Sequence, residues 1–107
     1  MTTLLPLAYG YLRDDLLGAH DPAADEDKLR TAAASRGYAL GTVFREPAPQ
    51  NGMLPPAFVE LVRECRRSDA HTVLTLNGHL SGMCICRMVL VAVLDVRADA
   101  AIQEIEP

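Results

Sequence analysis

Residues 8 to 17 read AYGYLRDDLL. With Leu7 in front, residues 7 to 12 form an unbroken apolar run holding two tyrosines, the pattern of a strand buried in the middle of a sheet. The run stops at Arg13, Asp14 and Asp15. The ends of buried strands are where open α/β sheets place their ligands, so these three residues are the first candidate site.

Working outward, HDPAADEDKLRTAAASRG carries helix punctuation. Asp21 is placed to cap, and Pro22 stands at the first helical position. Asp25, Glu26 and Asp27 fall in the first turn, where the helix dipole favours negative charge. Arg36 closes this helix and Gly37 supplies the left-handed residue beyond it. YALGTVF, residues 38 to 44, is predicted as the second strand. REPAPQNGMLPP follows as a loop of twelve residues with four prolines.

A second helix starts at Pro55–Pro56 and carries Phe58, Leu61, Val62 and Cys65 at helical spacing. It ends in Arg66–Arg67, ahead of a turn at Ser68–Asp69. HTVLTL, residues 71 to 76, is the third strand. The last third is read as a helix from about Leu80 to Arg97, then a short strand through Ile102 and Ile105. The β-branched run VLVAV also permits a strand over residues 84–96, but length favours the helix, because strands seldom exceed about ten residues. Alternating strands and helices of this kind predict a three-layer α/β sandwich with a mainly parallel sheet of about four strands, in a flavodoxin-like topology.

The bulk numbers agree with one domain spanning residues 1–107. Half the residues are hydrophobic and 22% are charged, an ordinary globular composition. The formal charge of −4 argues against a broad electrostatic grip on nucleic acid. DNA binding is therefore not expected. The apolar N-terminus lacks the positive flank of a signal peptide, and the longest apolar run, Met88 to Leu94, is too short to span a bilayer. No membrane association is expected, and three cysteines fit thiols of a reducing cytoplasm better than a disulfide framework.

The pieces GYLR, a helix closing in RGY, TVFRE, a glycine-containing loop, PPAFVELV, a charged turn and TVLTL occur here in one order. In that order and spacing, residues 8 to 82 resemble the N-terminal catalytic domain of serine recombinases, the resolvase and invertase family. The resemblance implies a resolvase-like fold. It also implies a strand ending in tyrosine, any residue, arginine, any residue and a nucleophilic serine. Tyr11 and Arg13 match, but the serine position falls on Asp15. Asn77 stands near the family's aspartate in the loop after the third strand, Gly78 or His79 takes the place of its first arginine, and Pro55 that of an arginine near the second helix. The family attacks a DNA phosphodiester with a serine oxygen while arginines stabilise the phosphate charge. A carboxylate at the nucleophile position removes the hydroxyl, and at about 4 Å it repels an anionic substrate by roughly 1–4 kcal/mol. The resemblance thus implies a degenerate, catalytically inactive member.

Other chemistry is weighed against plainer readings. Asp14–Asp15 resembles the magnesium-binding acidic pair of response-regulator receivers, but Asn77 stands where the phosphoaccepting aspartate belongs, and the lone lysine, Lys28, lies in the first helix. The plainer account has the pair facing solvent, with Arg13 holding one of them. His79, Cys84 and Cys86 make three zinc ligands where a structural site needs four, so no metal is expected. Cys65 is read as core. No glycine pattern matches a phosphate cradle, no hydrolytic triad assembles, and no cofactor is expected.

Two functional readings follow. The first is a non-enzymatic resolvase-like domain working through protein contacts, with a protein partner or a second copy of itself. MVLVAVL carries more apolar residues than one buried helix face needs. The alternative is a small-ligand or phosphate-binding protein, or an enzyme, using a strand-end crevice lined by Arg13, Asp14, Asp15, Asn77 and His79.

Overall fold

In the computed structural model, residues 5–14, 22–47, 55–80 and 87–105 are described. The opening apolar run folds as β1 (Leu7–Arg13), with Ala8 through Arg13 all buried. It is followed by α1 (Pro22–Ser35), β2 (Ala39–Glu46), α2 (Pro56–Ser68), β3 (Thr72–Leu76), α3 (Arg87–Ala98) and β4 (Ala101–Ile105). The four strands form one sheet in the order β2-β1-β3-β4, and every neighbouring pair is parallel. Parallel neighbours need crossovers, and the three helices supply them.

Side-chain alternation along the strands divides the core in two. Tyr9 and Tyr11 of β1 and Val73 of β3 meet Phe58, Leu61 and Cys65 of α2 and Leu90, Leu94 and Ala98 of α3. Leu12, Leu74 and Leu76 point the other way, onto Leu29 and Ala33 of α1. The result is the three-layer sandwich expected from the element order, with α2 and α3 on one face and α1 on the other. Each fully buried side chain of this kind contributes on the order of 1.5–3 kcal/mol. Close packing also explains Gly10. A Cβ there would stand 3.0 Å from both Leu29 Cδ1 and Val43 Cγ2, so the middle of β1 is thinned to let α1 and β2 approach.

Gly37 ends α1 as expected. Its φ is +84°, the Tyr38 N–H donates to the Ala33 carbonyl at 2.8 Å, and the Gly37 N–H donates to the Ala34 carbonyl at 3.2 Å. That bond pair is a Schellman motif. The other two helices also end in a left-handed residue, but there it is an aspartate, Asp69 after α2 and Asp99 after α3.

Several boundaries differ from the sequence reading. β2 runs two residues further, through Arg45 and Glu46, because both continue its pairing with β1. α2 continues to Ser68. Leu80 lies in the turn after β3 instead of starting a helix, its side chain buried against the core, and the described helix starts at Arg87. Within the described part of residues 84–96, Arg87 onward is helix. No described helix is long and apolar enough to cross a membrane.

Candidate functional site

A parallel sheet gathers the carboxyl ends of its strands along one edge. Here that edge holds Arg13 at the end of β1 with Asp14 just beyond it, Arg45 and Glu46 from β2, and the turn Asn77–Leu80 after β3. Gly78, at φ +91°, allows the turn to fold back, and the His79 N–H donates to the Leu76 carbonyl at 3.1 Å. The Asn77 N–H donates to the Ile105 carbonyl at 2.8 Å, fastening the turn to the end of β4.

This folding back brings His79 onto Arg13. The Arg13 backbone N–H donates to His79 Nδ1 at 3.0 Å, and Arg13 Nη1 donates to the His79 carbonyl at 3.3 Å. Arg13 is only 3% exposed and His79 only 7%. An Nδ1 that accepts a hydrogen bond leaves the proton of the neutral ring on Nε2. The ring's one basic lone pair is therefore engaged inside the protein, not directed at a ligand.

Asp14 goes elsewhere. Its Oδ1 accepts from Arg45 Nη1 at 2.9 Å, and Arg45 also holds Glu26 Oε1 from α1, at 3.0 Å from Nε and 2.8 Å from Nη2. Burial is the largest single influence on Arg45 and opposes its charge, but the hydrogen bonds it donates to Asp14 and Glu26, together with their charges, outweigh it and raise its pKa. Of the two aspartates expected at this strand end, Asp14 is clipped by Arg45 on the α1 side of the sheet. Asp15 lies outside the described residues. Asn77 is exposed and reaches this edge through its backbone. Of the five expected crevice residues, the structure thus brings Arg13 and His79 into contact and sets Asp14 apart.

Glu46 was not anticipated. It is fully buried, and its Oε1 accepts from Tyr11 Oη at 2.9 Å and from the Phe58 N–H at 3.1 Å, while Oε2 accepts from the Ala57 N–H at 3.1 Å. The first turn of any helix has backbone N–H groups without partners, and at α2 the N-cap position is Pro55, which makes no side-chain cap. Glu46 supplies that cap from β2. The Tyr11 ring then packs edge-on against Phe58, centroids 5.7 Å apart, and Thr75 Oγ1 donates to the Tyr11 carbonyl at 2.7 Å. The only signal in sequence was the acid directly before the proline loop.

Cys65 is a buried free thiol in the α2 core, and burial pushes its pKa up to about 11. Among the described residues no three His, Cys, Asp or Glu side chains converge as metal ligands, and Cys84 and Cys86 lie outside that set. An apolar groove of about 360 Å³ lies away from the strand ends, where α3 meets β4. Met88, Val91, Ala92 and Ile102 line it together with Arg87 and Asp95.

The sheet order and the helix placement together define a parallel, three-layer α/β fold. Among solved structures, the chain is similar to the C-terminal catalytic domain of ISC1926 TnpA, an IS607-like serine recombinase. The TM-score is 0.72 at 15% identity, and the match covers 94% of this chain and 69% of that one. At that identity the likeness shows the fold alone. It is also to a catalytic domain that stands C-terminal in its protein, whereas the sequence resemblance pointed to the N-terminal domain of resolvases and invertases. No family model and no curated protein matches the chain.

Proposed function

We propose that this is a recombinase-fold domain that does not break DNA and acts by binding protein, in the cytoplasm. The observation that carries the reading is the closure of the strand end. Arg13 stands where the resemblance places a phosphate-binding arginine, yet it is buried beneath His79 and bonded to it twice. Asp15 at the serine position and Pro55 at an arginine position support the same reading, since a strand-transfer enzyme needs both the hydroxyl and the cations. On this view the protein is a degenerate relative of the resolvase and invertase family. The crevice reading is weaker, because Asp14 is already paired with Arg45 and the His79 lone pair is engaged by Arg13.

The test is a search for DNA breakage. Purified protein is incubated with supercoiled plasmid and with labelled duplexes, and the products are examined for nicks, linear forms and covalent protein–DNA adducts. None is expected at any protein concentration. An adduct mapping to a residue of this chain overturns the proposal.

A further inference from the structure

We infer that α3 and the outer edge of β4 form an interface between two copies of this chain, packed about a twofold axis with the two α3 helices antiparallel. This rests on the reading that the domain works through protein contact, and it names the partner. α3 is apolar on two sides. Leu90, Leu94 and Ala98 fill the core, while Met88, Ala92 and Val96, four residues apart, form a second stripe facing solvent. Met88 is 74% exposed, Val96 79% and Val89 47%. A helix that serves only its own core needs one apolar face, and a second marks a surface built to be covered.

β4 lies beside it at the end of the sheet, bonded to β3 on one side and to no other described strand on its outer side. An uncovered strand edge offers backbone donors and acceptors to another chain. The groove where α3 meets β4 joins this edge to the helix stripe, so the two features are one continuous surface.

The charges specify a second copy as the occupant. Arg87, held by Glu104 at 2.9 Å, and Asp95 both line the groove, two turns of α3 apart. An antiparallel copy reverses that order, so Arg87 of each molecule comes opposite Asp95 of the other and both pairings form at once. Self-complementarity of this kind is what an isologous twofold interface requires. A parallel arrangement would set like charges against each other.

Sedimentation velocity over a wide concentration series tests this. The unmodified chain is expected to pass from monomer to dimer. Val96→Glu and, separately, Asp95→Arg are expected to weaken the dimer by roughly tenfold or more. Adding Arg87→Asp to Asp95→Arg is expected to restore it, because the opposed pairs are exchanged. Val96 is too exposed for its substitution to unfold the domain, so that arm stands even where loss of the Arg87–Glu104 pair lowers stability. An unmodified chain that stays monomeric throughout, a Val96→Glu chain that dimerises as before, or a doubly exchanged chain that stays monomeric overturns the inference. A monomer leaves the non-cleaving reading intact, and DNA breakage by a dimer overturns that reading without touching this interface.

Discussion

Tyr11 and Glu46 lie 35 residues apart in the chain and meet side chain to side chain, phenol to carboxyl, at 2.9 Å in the buried interior. Their contact joins the end of β1, the end of β2 and the start of α2, since the same carboxyl receives the Ala57 and Phe58 N–H groups. Because it serves three donors, its removal leaves more than one buried group unsatisfied. Glu46→Ala is expected to destabilise the domain by roughly 2–4 kcal/mol, and Tyr11→Phe by about 1 kcal/mol. Urea denaturation of both variants and of the double variant measures these costs. Coupling of at least about 0.5 kcal/mol is expected, since the two residues share a bond.

Asp69 closes α2 at φ 58° and ψ 35°, in the left-handed region that suits glycine best. Asp69→Gly removes the steric cost of a side chain there while increasing the freedom of the unfolded chain. A net gain of about 0.5–1 kcal/mol is expected, seen as a rise of several degrees in the thermal midpoint. A fall in midpoint would show that the aspartate side chain contributes more than its backbone strain costs.

Burial raises the Cys65 thiol from an ordinary value of 9.0 to about 11, with the neighbouring Glu64 charge adding to it. The folded chain therefore holds this proton more tightly than the unfolded chain does. The resulting stability is complete below the unfolded value and is lost as pH rises from about 9 toward 11. Relative to Cys65→Val, the unmodified protein is expected to lose up to about 2–3 kcal/mol more across that window, measured by denaturation at each pH. Peptide mapping after alkylation at pH near 8 should find Cys65 unlabelled in the native state.

His79 accepts the Arg13 backbone N–H at a buried position. His79→Leu deprives that donor of its acceptor and is expected to cost about 1–3 kcal/mol. A substitution without effect on the unfolding midpoint would mean that the turn does not hold the strand end.

The α/β order was legible because β1 opens as an uninterrupted apolar run, β3 is a short stretch of β-branched and apolar residues, and α2 repeats Phe58, Leu61 and Cys65 at helical spacing. Gly37 announced its own left-handed turn, since glycine is the usual residue there. Asp69 and Asp99 perform the same task without that sign. The end of β2 was hidden for another reason. Arg45 and Glu46 are charged and precede a proline-rich stretch, so they read as loop, although their partners lie far off in sequence at Glu26, Asp14, Tyr11 and the start of α2. Local patterns show which faces are apolar. They do not show which distant acceptor a buried charge will find, and for that reason the pairing of Asp14 with Arg45 was not legible.

The central claim is that the recombinase-like strand end is closed over Arg13. Isotope-labelled protein titrated with inorganic phosphate, and then with a short DNA duplex, tests it through the NMR signals of the Arg13 guanidinium and the His79 ring. Signals that stay in place through both titrations are the predicted result. A saturable shift of the Arg13 and His79 signals together, abolished in Arg13→Ala, would contradict it.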